Sequence, residues 1–118
     1  MSAEKRDTTE VIRRFNDAFQ RHEPALLDDL IGEHCVLENT NPAPDGARYT
    51  GRAGCLSVWR GIAGDPNIRF DLDETVILGE HALIYWRLHW PGGNVRGINV
   101  MRVQGGFIVE ARGYVKGA

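Results

Sequence analysis

His81-Ala82-Leu83-Ile84-Tyr85-Trp86-Arg87-Leu88-His89-Trp90 alternates without a break. Ala82, Ile84, Trp86, Leu88 and Trp90 fall on one face of an extended chain, and Leu83, Tyr85, Arg87 and His89 on the other, the pattern of a strand with one buried side. Pro91-Gly92-Gly93-Asn94 reads as a hairpin turn, Asn94–Val103 as a second strand, Gln104-Gly105-Gly106 as a turn and Phe107–Lys116 as a third strand. In the middle strand, Gly97-Ile98-Asn99-Val100-Met101-Arg102-Val103, the amide of Asn99 shares a face with apolar or small residues. An inward amide on a concave sheet is what a pocket needs, and the rest of the chain is read against it.

Working back from there, Ile68, Phe70 and Leu72 alternate with Arg69, Asp71 and Asp73 as a half-buried strand. Past a bulge expected near Glu74 this strand continues through Val76 and Leu78 to a turn at Gly79-Glu80. Before it, Thr50 caps a helix whose buried stripe is Ala53, Leu56, Trp59, Ile62 and Ala63, ended by Gly64-Asp65-Pro66. Asn41-Pro42-Ala43-Pro44-Asp45-Gly46 is a loop, because two prolines and an Asp-Gly deny it regular structure. Cys35–Asn39 is a short strand with Leu37 and Asn39 on one face and Val36 and Glu38 on the other. The N-terminal part reads as a helical hairpin. Asp7-Thr8-Thr9-Glu10 opens a helix with a capping oxygen and a Glu three residues on, and Val11, Ile12, Phe15, Ala18 and Phe19 form its stripe. Pro24 opens a second helix with Leu26, Leu27, Leu30 and Ile31 on its face, and Gly32 stops it.

The 118 residues suit one domain, 1–118, and 42% of them are hydrophobic. The start of the chain has no apolar signal core and no run approaches the roughly 20 residues that span a membrane, so a cytoplasmic protein with no membrane partner is expected. Net charge is −2, from 14 basic and 16 acidic residues. No basic tail or stripe marks a nucleic-acid binder. Cys35 and Cys55 have no metal or redox spacing and read as buried free thiols. No metal and no cofactor is expected.

The order of helical hairpin, Leu37-Glu38-Asn39-Thr40-Asn41-Pro42, Tyr49-Thr50-Gly51-Arg52, the Asn99 strand and a terminal Ile108-Val109-Glu110 resembles the nuclear transport factor 2-like superfamily. Within it, the chain looks like the SnoaL-like (polyketide-cyclase-like) and ketosteroid-isomerase-like branches. The resemblance covers nearly the whole chain. It implies an α+β, cystatin-like, cone-shaped roll: three N-terminal helices packed on a curved antiparallel sheet, with a pocket at the open end and often a dimer. It implies no activity by itself, because the fold hosts isomerases, hydrolases, dehydratases, cyclases and binding modules.

Carried over position by position, the resemblance argues against ordinary isomerase chemistry. A ketosteroid isomerase needs a carboxylate base, a protonated carboxylic acid and a tyrosine. Those positions hold Asn39, Asn99 and Phe15 here, and an amide does not accept a proton near neutral pH. The Arg and two Asp residues of limonene-epoxide hydrolases fall at Gly97, Asn99 and Gly113. A cyclase's acidic residue would lie near Glu110, which strand parity turns outward with Arg112 and Tyr114; a one-residue slip would turn it inward.

With Asn39 and Asn99 inward, alternation adds Leu37, Phe70, Leu72, Trp86, Leu88 and Trp90 to the inner wall. Met101, Val109, Ala111 and Val115 follow from the last two strands, and Phe15, Phe19 and Trp59 from the helices. Gly97, Ala111 and Gly113 leave volume beside the rings. The candidate ligand-binding set is therefore Asn39, Asn99, Phe15, Phe19, Trp59, Trp86, Leu88, Met101, Ala111 and Gly113. The first expectation is a domain that binds a small hydrophobic molecule carrying a polar group. The alternatives are an isomerase, cyclase or hydrolase acting on a hydrophobic carbonyl compound, and a dimeric interaction module without a ligand. A base would have to come from Glu38, His34, His22 or His89, and parity sends Glu38 and His89 outward. The other sheet face, with Tyr85, Arg87, Ile98, Val100, Arg112 and Tyr114, is the expected homodimer interface.

Overall fold

The computed structural model describes residues 6–117. Two α-helices, α1 (Thr8–Gln20) and α2 (Arg52–Ala63), lie with six strands: β1 (Ile31–Glu38), β2 (Arg48–Thr50), β3 (Arg69–Leu78), β4 (His81–Trp90), β5 (Gly93–Gln104) and β6 (Phe107–Val115). The expected terminal meander is present, its strands pairing antiparallel in the order β6-β5-β4-β3. Two features were not expected. β1 runs parallel to β6, so the sheet is mixed, and β2 adds an antiparallel edge beyond β1.

α1 starts as its sequence dictates. The Asp7 carboxylate accepts from the Glu10 backbone N–H at 2.8 Å, and Val11, Ile12, Phe15 and Ala18 are buried. The expected second helix does not form, and the described residues make two α-helices rather than three. Pro24–Leu27 makes only a 3-10 turn, with Leu26 N–H bonded to Glu23 O and Asp28 N–H to Ala25 O. Leu30 and Ile31 are buried as expected, but Leu30 closes a turn, its N–H bonded to Leu27 O, and Ile31 opens β1. Leu30 O accepts from Ile108 N–H at 2.8 Å and Ile31 stands opposite Ile108, so pairing with β6 overrides the helical spacing. Gly32 therefore stops no helix. It lets β1 approach β6, since a Cβ there would meet Ile108 O at 3.1 Å.

Thr50 ends β2, and Gly51, at φ 88°, caps α2 in its place. Cys55 joins Leu56, Trp59 and Ala63 on the buried side of α2, whereas Ala53 is exposed. Two bulges change the facing of strand residues. The ladder slips between Leu72 and Glu74, so Ile77 rather than Val76 or Leu78 packs on the core, and Leu78 is 59% exposed. A second slip past Arg102 gives Ile108 the core position expected for Val109. Trp90 and Val115 are exposed, as the inner face runs out beyond the helices at that end. The turn after β4 is tighter than expected, with Trp90 paired to Gly93 across Pro91-Gly92.

Candidate functional site

Between the helices and the inner sheet face lies a cavity of about 310 Å³. Aromatic rings build one wall as a relay of edge and tilted contacts. Phe15 meets Trp59 at 5.2 Å and Phe19 at 4.8 Å, Phe19 meets Phe70 at 5.7 Å, and Phe70 meets Trp86 at 5.5 Å. Such contacts hold the rings in fixed orientations. The Trp86 ring lies over Gly97, its partner on β5, where a Cβ would come within 2.3 Å of the ring.

Nine of the ten candidate residues line this cavity: Asn39, Asn99, Phe15, Phe19 and Trp59, with Trp86, Leu88, Ala111 and Gly113. Met101 does not. It faces the same way but is 1% exposed, covered where it stands between Ala82 and Ala111. Parity gives the face of a strand residue; whether it reaches the cavity depends on what packs over it.

Asn39 sits where β1 hands over to the loop. Its Oδ1 accepts from Thr40 N–H at 2.8 Å, and its own N–H donates to Ala47 O at 2.8 Å. Ala47 N–H to Asn41 O and Gly46 N–H to Pro42 O close the loop. Gly46 is required there, with φ 83° and no room for a Cβ against Asn39 O. Asn99 stands between Ile84 and Gly113 in the ladder, and a Cβ at Gly113 would lie 3.2 Å from Asn99 Oδ1 and 3.0 Å from Thr40 Cγ2. Asn16, Thr40 and Asn41 add polar lining that the sequence reading missed. Asn16 was findable, being three residues before Phe19 and so at the border of the apolar stripe; Thr40 and Asn41 lie in a loop without periodicity.

Ionisable groups reach the cavity at two places. Glu38 and Arg112, paired across β1 and β6, both contribute to the lining. Parity had sent Glu38 wholly outward, and its carboxylate does lie 3.5 Å from Arg48. The Arg112 guanidinium is 3.0 Å from Glu110, which also meets Arg102 at 3.5 Å, so Glu110 faces outward as expected. No histidine lines the cavity. His22 Nδ1 is 3.1 Å from Ala63 O, His34 lies on an outer groove beside Glu33, and His89 is 2.8 Å from Asp71. The Asp71 carboxyl is held below its usual range by Arg69 and then by His89. Cys35 and Cys55 are free and buried, and burial pushes both thiols up. Among the described residues, no group of three or more His, Cys, Asp and Glu is placed to hold a metal. No helix among them is long and apolar enough to cross a membrane.

The two-helix α+β roll is the cystatin-like or nuclear transport factor 2-like fold. The chain belongs to the SnoaL-like domain family, whose profile matches residues 12–111. It is 58% identical to a nuclear transport factor 2-like protein of unknown function from Mesorhizobium loti, over 93% of this chain and 91% of that one, with a TM-score of 0.90. A proposed ketosteroid isomerase from Kribbella flavida shares the fold at 18% identity and a TM-score of 0.79, over 94% of this chain and 78% of that one. A proposed polyketide cyclase from Sinorhizobium meliloti does so at 19% and 0.71, over 88% and 93%. No curated protein matches the chain.

Proposed function

We propose that this chain binds a small, mostly apolar molecule bearing a polar group, in the cavity between α1, α2 and the sheet. The observation that carries the reading is the composition of that cavity: aromatic and aliphatic walls with Asn39 and Asn99 at one side. Its volume of about 310 Å³ lies at the lower end of small-molecule sites, roughly 300–1,000 Å³. The kinship in fold with proteins named as an isomerase and a cyclase supports a ligand-holding role. Ala111 is the place to test it, because a larger side chain there would fill the cavity from β6. Native mass spectrometry against a panel of neutral aromatic and terpenoid-sized compounds should retain at least one. Ala111→Phe should weaken that compound at least tenfold with the fold intact by circular dichroism. Retention of none, or equal retention by the variant, would sink the proposal.

A second reading, catalysis on a hydrophobic carbonyl compound, is favoured by Glu38, the one acidic residue in the lining among the described residues. Proton transfer would require it to leave Arg48 and come within about 3.2 Å of the substrate. Turnover abolished by Glu38→Gln with binding unchanged would support that reading; turnover indifferent to the change would remove it.

We further propose that the outer face of β4, β5 and β6 is a homodimer surface. Tyr85, Ile98 and Tyr114 stand in one row across the three strands, and Leu83, Val100 and Arg112 in the next.

A further inference from the structure

We infer that the site prefers a neutral ligand presenting a hydrogen-bond donor and an acceptor side by side, the edge of a lactam or a hydroxy-carbonyl, over a bare carbonyl compound or an anion. The inference rests on the proposed binding function and concerns which chemistry that cavity takes. The two amides are not equivalent. Asn39 Oδ1 is already engaged by Thr40 N–H, a partner that can only donate, so its orientation is set and Asn39 offers chiefly its NH₂, with one lone pair of Oδ1 left. Asn99 lines the cavity, and among the described residues its amide meets no hydrogen-bond partner, so it offers both an NH₂ and a carbonyl oxygen. Gly113 keeps the space beside that oxygen clear.

An acceptor-only ligand would satisfy donors of Asn39 and Asn99 and bury Asn99 Oδ1 without a partner. A cis-amide edge meets both halves of Asn99, as two amides pair with each other. An unpaired buried acceptor lowers affinity by about tenfold or more. Anions fare worse. Among the described residues the two charged side chains of the lining are already engaged, Glu38 by Arg48 at 3.5 Å and Arg112 by Glu110 at 3.0 Å, leaving a buried carboxylate only neutral donors: the amides, the Thr40 hydroxyl and the Trp86 Nε1–H, which has no hydrogen-bond partner.

The test uses four bicyclic probes of one shape: 2-quinolone (donor and acceptor), coumarin (acceptor only), naphthalene (neither) and 2-naphthoate (anion). Calorimetry or competition on the full chain should rank quinolone about tenfold or more above coumarin, with naphthoate last. Asn99→Leu should erase the quinolone advantage and leave naphthalene unchanged. Asn99→Asp, which keeps the side-chain shape and loses the donor, should weaken coumarin more than quinolone, and it decides the matter if the Leu variant does not fold. Coumarin equal to quinolone, or a preference that survives Asn99→Leu, would overturn the inference and leave the binding function standing. No binding by any probe, naphthalene included, would overturn the binding function and the inference with it.

Discussion

Trp86 and Gly97 form a cross-strand pair in which the ring occupies the space a side chain would take. A Cβ on Gly97 would fall 2.3 Å and 2.5 Å from the ring and 2.6 Å from Tyr114 O. Trp86 is 6% exposed and in contact with Phe70, so it has little room to swing away. Gly97→Ala is therefore expected to cost about 1–3 kcal/mol of stability by overpacking. Urea unfolding with an unchanged slope would measure it, and a loss under about 0.5 kcal/mol would show that the ring yields freely. At this scale the sequence was informative about facing and silent about contact. Alternation put Asn99, Trp86, Leu88 and Gly113 on one side. It carried nothing to say that Met101 would be covered, or that Thr40 would hold the amide oxygen of Asn39.

Elements were legible where one local pattern had no rival. α1 has its cap, stripe and charged face in agreement, and Glu10 shows how its first turn is fastened. Its carboxylate bonds Arg13 at 2.8 Å and Arg14 at 2.7 Å, which lowers the Glu10 pKa from the ordinary 4.5 to about 2. A carboxyl whose folded pKa lies below its unfolded one favours the folded state above about pH 4.5, and that contribution fades as pH falls through about 2. Carboxyl-carbon NMR should place the Glu10 midpoint near 2, and Arg13→Ala should raise it; a midpoint at the ordinary value would show that these pairs do not persist in solution. Other elements were misread because a distant partner decided them. Leu26, Leu27, Leu30 and Ile31 fit a helical face, but Ile31 is bonded into the sheet beside Ile108. The bulge near Glu74 is legible in the sequence, whereas the reversal of facing beyond it is set by the register with β4. The bulge beside Val103 left no mark in the sequence at all, and Val109 and Ile108 exchanged roles across it.

For the whole molecule, the meander and the α+β class followed from the sequence, while the parallel β1–β6 contact did not, since nothing local records which strand a chain will join. The two faces of that sheet differ in character. The inner one is covered by helices around the cavity; the outer one carries half-buried Tyr85, Ile98 and Val100 among arginines that are only partly matched by Asp73, Glu80 and Glu110. Apolar residues at the centre of a face with Arg and Tyr around them are the make-up of an interface. A stable one needs about 800 Å² from each partner, roughly an eighth of the 6825 Å² of accessible surface on this chain, an area that one face of three long strands can supply. Pairing through that face leaves the cavity on the opposite side of the sheet, so association and ligand binding should be separable. Sedimentation at micromolar concentration is expected to give twice the 13.2 kDa chain mass. Ile98→Glu, which buries a charge at the centre of the row, should return a folded monomer whose affinity for cavity ligands is within about twofold of the parent. A parent chain that sediments as a monomer would end the dimer proposal, and a dimer indifferent to Ile98→Glu would move the interface to another face.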